Sequence, residues 1–240
     1  MKLFGSIRKK PPRCGAVIVA AGMSSRMQGV DKIMADLRGT PVIVHTLRAF
    51  EAAPEIAEIV LVTRPEQQEE MTVLVNREGF QKVTAIVPGG KTRVESVNHG
   101  LLALDKKTRL AAIQDGARPL VTLEIIRETV ERARRSSAAA PAVPVKDTVK
   151  VADADGMVIS TPDRETLRAV QTPQVFDRDL LLAAWEKARQ EGKAYTDDCA
   201  AMEALGMKVY LTQGSEENIK LTTPLDMLLA EEILKRREQP

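Results

Sequence analysis

Short apolar runs alternate with amphipathic stretches along the first 145 residues of this chain. The apolar runs are rich in β-branched residues and end in turn residues, whereas the stretches between them place apolar side chains at near-helical spacing. The runs predict strands at 17–19, 56–63, 83–87, 110–113 and 138–145, and the stretches predict helices at 41–53, 65–79, 92–104 and 122–135. Such alternation predicts an α/β fold of three layers, a doubly wound, Rossmann-like arrangement with a mostly parallel sheet between helices.

The pattern changes after Val145. Residues 146–176 hold short β-like pieces around an Asp-Ala-Asp-Gly turn, which predicts a β-hairpin arm that projects from the core. Helical patterns return at 177–190, 196–205 and 224–237, with a late strand at 208–212. Because we find no internal repeat and no long flexible linker, residues 14–236 are predicted to form a single domain that follows a basic tail, residues 1–13.

Three of the predicted loops follow the carboxyl ends of strands, where ligands bind in sheets of this kind. These loops cover residues 20–32, 88–93 and 115–118. In the first loop, the small residues Ala20, Ala21 and Gly22 allow a ligand to approach the backbone closely. Arg26 and Lys32 add positive charge to the same loop, which suits an anionic ligand such as a nucleoside triphosphate.

Asp115 follows the fourth of these strands and is a candidate metal ligand. One carboxylate together with phosphate oxygens of the substrate is a common way to hold Mg²⁺. The alternatives are that Asp115 caps a turn before Pro119 and that Arg26 and Lys32 are solvated cations. The convergence of the three loops favours the metal, and cations with a metal can catalyse attack at phosphorus without a side-chain nucleophile.

Other nucleotide motifs and a hydrolase triad are poorly supported. A P-loop needs Gly, four residues and then Gly-Lys-Ser/Thr, and no such string occurs. A dinucleotide-binding loop needs Gly at the position of Met27 and an acid at the end of the second strand, where Thr63 and Arg64 stand. His45 and His99 both fall within helical patterns away from the three loops, which argues against a Ser-His-Asp hydrolase.

Composition and charge narrow the possible partners. Apolar residues make up 44% of the chain and aromatic residues 3%, so the core must be aliphatic and stacking platforms for bases are scarce. Residues 1–13 hold five of the 35 Lys and Arg and no acid, so the rest carries 30 basic against 33 acidic residues, a net charge of −3. We therefore expect no nucleic-acid partner. With no apolar run after the basic start and no apolar stretch of about 18 residues, we expect no membrane partner and a cytoplasmic location.

The two cysteines, Cys14 and Cys199, lie far apart in the sequence. Neither has a second thiol nearby with which to begin a zinc site or a redox pair. Cys14 is therefore expected to pack as a small apolar residue.

Six segments together carry a more specific signal. In order, they read VAAGMSSRM, GGKTRVESV, IQDGARP, PVKDTVK, QTPQVF and ENIKLTTPLD. The set closely resembles the 2-C-methyl-D-erythritol 4-phosphate cytidylyltransferase family over about residues 14–236. The first segment alone would match many sugar-nucleotide transferases, whereas IQDGARP with PVKDTVK and QTPQVF is far more restrictive. The resemblance implies a nucleotidyltransferase fold whose single catalytic domain transfers CMP from CTP to 2-C-methyl-D-erythritol 4-phosphate, releasing pyrophosphate, in the non-mevalonate route to isoprenoids.

The resemblance also implies roles on the nucleotide side. Arg26 and Lys32 resemble the pair that stabilises the pentacoordinate phosphate, and Asp115 resembles the Mg²⁺ ligand. The residues similar to those that bind the nucleotide are Ala20, Ala21, Gly22, Arg26, Lys32, Gly90, Ser96 and Gly116. Lys91 stands where relatives often have an acid, which bears on the choice of nucleobase.

On the side of the second substrate, five residues match positions where the family binds methylerythritol phosphate, namely Arg118, Thr148, Arg164, Thr196 and Lys220. Arg164 and Lys220 would hold a phosphomonoester against repulsion from the triphosphate, so both are expected to act in catalysis. Thr148 and Arg164 lie on the predicted arm. In the family that arm clasps a second subunit and helps complete its site, so the resemblance implies a homodimer.

Two alternatives remain open. A cytidylyltransferase for another polyol phosphate, such as ribitol 5-phosphate, would share the loop architecture. A non-catalytic regulator of the same fold would bind CTP without releasing pyrophosphate, although the presence of Arg26, Lys32 and Asp115 together argues against it.

Overall fold

The computed structural model describes residues 13–22 and 31–238. Its strands are β1 Cys14–Val19, β2 Asp36–Leu37, β3 Thr40–Pro41, β4 Ile56–Thr63, β5 Val83–Pro88, β6 Leu110–Asp115, β7 Ala138–Pro144, β8 Val151–Ala152, β9 Val158–Ser160, β10 Arg168–Val170, β11 Gln174–Asp177 and β12 Tyr210–Gln213. Its α-helices are α1 Val42–Ala52, α2 Gln68–Glu78, α3 Arg93–Ala103, α4 Leu123–Ser136, α5 Arg178–Gln190, α6 Asp198–Ala204 and α7 Pro224–Arg237. Short 3₁₀ turns occur at Pro65–Gln67 and Arg164–Thr166.

The central sheet has the strand order β10-β7-β11-β6-β1-β4-β5, with β12 paired to β7. β1 is parallel to both β4 and β6, β4 is parallel to β5, and β12 is parallel to β7. β11 lies between β6 and β7 and is antiparallel to both, and β10 is antiparallel to β7. The mostly parallel α/β fold predicted from the sequence is therefore confirmed.

Two aliphatic layers cover the two faces of the sheet. Along β1, Ala16 and Ile18 belong to the layer that includes α1, α2, α4 and α7, whereas Val17 belongs to the layer that includes α3, α5 and α6. This alternation follows from the two-residue period of a strand, and it explains why the run is apolar on both faces. Both faces of the sheet are thus buried, as in a three-layer fold.

The predicted helices agree with the observed ones to within a few residues, and their caps explain where they begin. Thr122 and Asp177 precede α4 and α5 and accept hydrogen bonds from backbone N–H groups of the first turn. Thr92 does the same for α3 by accepting from the N–H of Glu95. The Glu95 carboxylate accepts from the N–H of Lys91 instead of completing a capping box with Thr92. The helix predicted at 65–79 begins as the 3₁₀ turn before it becomes α2.

The predicted boundaries of the arm, residues 146–176, need correction. Only β8 and β9 form a separate two-stranded antiparallel ladder, whereas β10 and most of β11 are strands of the central sheet. Their inclusion has a physical reason, because Val175 and Phe176 are fully buried and pair with Ala139 and Ala138 of β7. The segment outside the sheet is therefore limited to residues 145–167.

Both cysteines are buried, and the expected packing of Cys14 as an apolar residue is confirmed. Burial raises the pKa of the Cys14 thiol to about 12, although Arg134 acts in the opposite direction. Burial also raises the pKa of Cys199, so neither group is a thiolate at neutral pH.

The helices within residues 13–22 and 31–238 include none with the length and apolar character of a membrane span.

Candidate functional site

A cleft of about 450 Å³ opens at the edge of the sheet where β1, β5 and β6 end. Backbone hydrogen bonds tie the ends of β1, β4 and β6 together. The Ala20 N–H donates to the Val62 carbonyl at 2.7 Å, and the Gly116 N–H donates to the Val19 carbonyl at 2.9 Å. Because the loops leave the sheet from these strand ends, the described residues that follow each strand meet at one edge of the sheet.

Most of the residues expected on the nucleotide side line this one cleft. They are Ala20, Ala21, Gly22, Lys32, Gly90, Ser96, Asp115 and Gly116, and Lys220 from the second-substrate set lines it as well. Arg118 adjoins the cleft through its contact with Asp115. Thr148, Arg164 and Thr196 are exposed and are not on the wall of the cleft. Arg26 lies at a position outside the described residues.

The loop after β5 packs closely against the loop after β1. The Gly89 N–H donates to the Thr63 carbonyl at 2.8 Å, and a Cβ placed on Gly89 would lie 2.3 Å from the Cβ of Ala21. The Gly90 N–H donates to the Ser96 hydroxyl at 3.1 Å, and that hydroxyl donates to the Thr92 carbonyl at 2.9 Å. The loop is therefore held by the first turn of α3, and only Gly fits at position 89.

We expect Gly89→Ala to weaken nucleotide binding, because the new methyl group must push the Ala21 loop away from its neighbour. The expected result is a rise of about tenfold in the KM for CTP with a smaller change in kcat, since a small displacement of a binding loop costs affinity first. Steady-state kinetics of pyrophosphate release measure both. Gly39→Ala is a comparison in which no atom lies within 4 Å of the new Cβ, although its positive φ of 77° lowers stability. Equal CTP KM values for Gly89→Ala and the unchanged chain would contradict the proposed role of the close contact between Gly89 and Ala21.

Asp115 is the last residue of β6 and is almost fully buried, at 8% exposure. Its Oδ2 lies 3.0 Å from Nζ of Lys220 and 3.4 Å from Nε of Arg118. Burial by itself would raise the pKa of this carboxyl, but Lys220, Arg118 and Arg93 lower the pKa below its usual value. Asp115 is therefore a carboxylate at neutral pH.

Two residues of the later chain position Asp115, and both were missed as individual residues from the sequence. The Thr172 hydroxyl accepts from the Asp115 N–H at 3.1 Å and donates to Oε1 of Gln114 at 2.9 Å. The side-chain amide of Asn218 donates to the Thr172 carbonyl at 3.0 Å, and the Asn218 carbonyl accepts from Arg118 at 2.7 Å. Both residues fall within segments that carry the family resemblance, which was the available signal.

The chain just before Lys32 is fixed by a polar cluster. The Oδ2 atom of Asp31 accepts from the side chains of Arg64 and Gln67, and its Oδ1 accepts from the Ile33 N–H at 3.1 Å. Arg64 itself lines the cleft and was not singled out from the sequence. The ordered residues on either side of Lys32 limit where its side chain can reach, as a positioned cation requires.

The two histidines bond to backbone carbonyls rather than to the cleft. His45 Nε2 lies 2.9 Å from the Leu37 carbonyl, and His99 Nδ1 lies 2.9 Å from the Pro88 carbonyl. Neither residue lines the cleft. A Ser-His-Asp arrangement therefore has no histidine available here.

Among the described residues, two carboxylates line the cleft, the exposed Glu66 and the buried Asp115, and Asp115 is the one that would bind a metal. Within residues 13–22 and 31–238, no cluster of three or more His, Cys, Asp or Glu side chains could hold a metal ion. Asp115 supplies a hard oxygen donor beside Lys32 and Lys220 on the same cleft wall. A single carboxylate fits Mg²⁺ that takes its other ligands from phosphate oxygens and water. The arrangement suits electrostatic stabilisation of a phosphoryl-transfer transition state.

Comparisons with known proteins agree with this geometry. The sequence profile described as IspD, 2-C-methyl-D-erythritol 4-phosphate cytidylyltransferase, matches residues 14–236. A protein of that description from Desulforamulus reducens is 52% identical over 224 residues, covering 92% of this chain and 96% of its own length. One from Caldanaerobacter subterraneus subsp. tengcongensis is 46% identical, covering 92% of this chain and 98% of its own.

Solved structures agree as well. The crystal structure of 4-diphosphocytidyl-2C-methyl-D-erythritol synthase from Anaerococcus prevotii matches with a TM-score of 0.85 at 32% identity, covering 95% of this chain and 100% of its own. The 2-C-methyl-D-erythritol 4-phosphate cytidylyltransferase from Thermus thermophilus matches with a TM-score of 0.75 at 31% identity. The match covers 92% of this chain and 98% of the Thermus chain. The family resemblance drawn from the six segments is thereby confirmed. This chain belongs to the 2-C-methyl-D-erythritol 4-phosphate cytidylyltransferase family.

Proposed function

We propose that this chain transfers CMP from CTP to 2-C-methyl-D-erythritol 4-phosphate in the cleft at the carboxyl edge of the sheet. The observation that carries the proposal is the meeting of Lys32, Asp115 and Lys220 with the backbone of Ala20–Gly22 in one cleft. Small residues let a triphosphate lie along the backbone, and the cations and carboxylate lie where its charge must be balanced. Family membership supports this same reaction and places it in isoprenoid synthesis.

The reaction joins two anions and needs no covalent intermediate on the protein. An oxygen of the 4-phosphate attacks the α-phosphorus of CTP, forming one P–O bond, while the bond to the β-phosphate oxygen breaks and pyrophosphate leaves with that electron pair. Negative charge accumulates on the non-bridging α-phosphate oxygens in the transition state. Lys32 from the wall of the cleft, with Arg26 by family resemblance, stabilises that charge.

Asp115 would hold Mg²⁺ together with the phosphate oxygens of CTP. The bound ion would neutralise triphosphate charge and fix the phosphate chain. Lys220 and Arg118 both contact the same carboxylate, which orients it toward the cleft. On the nucleoside side, Gly90 and Ser96 are assigned to cytosine and ribose by resemblance, and Gly116 is assigned to the nucleotide by resemblance.

The second substrate is assigned to the side of the cleft where Lys220 and Arg118 lie. A phosphomonoester carries nearly two negative charges, so these cations offset its repulsion from the triphosphate. Lys220 lines the cleft and retains 39% side-chain exposure while it is paired with Asp115. Thr148, Arg164 and Thr196 complete the set by resemblance.

We further propose that a homodimer forms through the β8–β9 hairpin. This hairpin is apolar and exposed, with Met157 at 68%, Val158 at 53% and Ile159 at 65% exposure. A run of exposed apolar side chains on a two-stranded ribbon is typical of an interaction site. Thr148 and Arg164 flank the hairpin, and Arg164 is held by a 2.9 Å bond to the Lys146 carbonyl. A partner subunit would receive these two residues at its cleft.

Ile159→Glu is expected to dissociate that dimer, because it places a charge in an apolar contact. We expect light scattering coupled to size-exclusion chromatography to give the monomer mass, and activity to fall with it. Val73→Glu is the matched control, since Val73 lies on α2 with a similar exposure of 62% and should leave the mass unchanged. An Ile159→Glu protein that keeps the mass of the unchanged chain would rule out the hairpin as the interface.

Pyrophosphate release tests the proposed reaction. CTP, UTP, ATP and GTP are each paired with 2-C-methyl-D-erythritol 4-phosphate and with ribitol 5-phosphate. The proposal expects release with CTP and methylerythritol phosphate far above every other pair. Faster release with ribitol 5-phosphate would assign the chain to another polyol phosphate. CTP binding without release from any pair would indicate a regulator.

A further inference from the structure

An ion pair joins the wall of the cleft to a fully buried carboxylate behind it. Nη2 of Arg93, the first residue of α3, is 2.7 Å from Oδ2 of Asp198, the first residue of α6. Asp198 is fully buried, and its Oδ1 accepts from Nε1 of Trp185 at 3.2 Å. Arg93 also lines the cleft, as Ser96 and Asp115 do, and its side chain is 32% exposed.

This pair is costly as a purely structural feature. A cation in the first turn of a helix faces the positive end of the helix dipole. A carboxylate removed from water costs several kcal/mol unless it is paired, and an apolar pair of similar volume would commonly be as stable. Burial raises the pKa of Asp198 while Arg93 and Trp185 oppose that change, so the carboxylate depends on both partners. The arrangement is therefore better explained by what Arg93 does at the cleft.

The same buried corner also touches the segment assigned to the second substrate. Asp197, between Thr196 and Asp198, caps α6 and accepts from Nε2 of Gln174 at 2.8 Å. Gln174 begins β11, two residues after the Thr172 that bonds the Asp115 N–H. Asp198 thus joins the first turn of α3 to the loop that carries Thr196.

We propose that Asp198 and Trp185 are positioning residues of the nucleotide site, which hold the Arg93 guanidinium on the cleft wall where it meets the triphosphate of CTP. The inference rests on the proposed function and adds a cation that the sequence analysis did not single out. The planar guanidinium can bond Asp198 with one edge and a phosphate with another, which an ammonium group cannot do in the same geometry. Pre-positioning spares the ordering of a long side chain when the nucleotide binds.

Asp198→Asn tests the role, because it keeps the shape of the side chain and removes its charge. The substitution leaves the Arg93 guanidinium without its carboxylate partner. We expect it to raise the KM for CTP by about tenfold or more, while the KM for the polyol phosphate changes less than about threefold. Trp185→Phe removes one hydrogen bond and should raise the CTP KM by about two- to fivefold. Arg93→Lys should not restore binding relative to Arg93→Gln. Glu186→Gln, which breaks an exposed pair with Arg189 on α5, is the control and should change none of these values.

Trp185 is the single tryptophan of the chain, so tryptophan emission reports on this side chain alone. A pair with a merely structural role would not change that emission when CTP binds. Addition of CTP with Mg²⁺ to the unchanged protein should alter the emission of this indole, since a polyanion at Arg93 changes the field around Asp198. The Arg93→Gln protein should bind CTP more weakly by calorimetry and show no emission change. Thermal unfolding identifies variants that are not folded, and the wild-type titration then decides.

The results that would overturn the positioning role differ from the result that would overturn the proposed reaction. Wild-type protein that binds CTP by calorimetry with no change in emission, or a folded Asp198→Asn protein with a CTP KM within twofold of wild type, would overturn the positioning role. Absence of pyrophosphate release from the wild-type protein would instead overturn the reaction. A CTP-dependent emission change lost in Arg93→Gln supports the inference in either case.

Discussion

Lys32→Ala is expected to lower kcat by about 100- to 1,000-fold while the KM for CTP changes by less than about threefold. Lys32 lines the cleft where the three strand ends meet, and the preceding Asp31 is fixed by Arg64 and Gln67. A cation held in this way interacts more strongly with the charge that builds up in the transition state than with the bound substrate. Steady-state pyrophosphate release over a range of CTP concentrations measures both parameters.

Lys106→Ala is the matched control for this change. Lys106 is exposed in the turn before β6, at the amino end of the strand and thus opposite the cleft. The control should retain full activity, which shows that loss of one lysine charge alone is harmless. If Lys32→Ala instead raised the CTP KM and left kcat unchanged, Lys32 would serve ground-state binding and its role in transition-state stabilisation would be excluded.

Asp115→Asn is expected to lower kcat/KM by at least about 100-fold and to raise the Mg²⁺ concentration needed for half-maximal rate. The carboxylate is the proposed metal ligand, and an amide oxygen binds Mg²⁺ far more weakly. The substitution also leaves Lys220 and Arg118 without their shared carboxylate. CTP itself should still bind, because the cleft becomes more positive. Mg²⁺ titrations of the initial rate at fixed CTP measure the effect.

The control for this change is Asp179→Asn, an exposed carboxylate in the first turn of α5 that lies away from the cleft. It should leave the Mg²⁺ dependence unchanged. An Asp115→Asn protein with an unaltered Mg²⁺ requirement and reduced kcat would assign Asp115 to the placement of Lys220 and Arg118 and remove it as a metal ligand.

The parallel half of the fold could be predicted because its signals are local. The apolar run of β4 spans Ile56–Thr63, and the structure places the strand at those residues. Thr92 and Thr122 each cap the helix that the periodic pattern predicted after them. Strand and helix periods differ enough that a stretch of eleven residues, such as α3, separates them.

The antiparallel part could not be predicted in the same way. Gln174–Asp177 is a four-residue run, and nothing within it states that it inserts between β6 and β7. That insertion depends on pairing with residues far away in the chain, as between Phe176 and Ala111. Strand pairing over such distances leaves little trace in the local pattern. The predicted arm was therefore longer than the segment that leaves the sheet.

In the candidate site, too, residues with a local sequence signal could be predicted, and residues that depend on distant contacts could not. The loop after β1 could be recognised from the sequence, because the small residues Ala20–Gly22 follow a buried strand directly and the cation Lys32 follows in the same loop. Thr172 and Asn218 help to position Asp115, but they lie far from it in the sequence and come near it only in the folded chain. Arg93 resembles an ordinary solvated arginine until its pairing with buried Asp198 is seen.

A crystal structure of the protein with CTP and Mg²⁺ tests the central claim most directly. The account predicts the triphosphate along Ala20–Gly22 with the metal bound by Asp115, the α-phosphate within hydrogen-bond distance of Nζ of Lys32, and cytosine beside Gly90 and Ser96. Nucleotide density in another cavity, or a metal held in this cleft without Asp115, would contradict it.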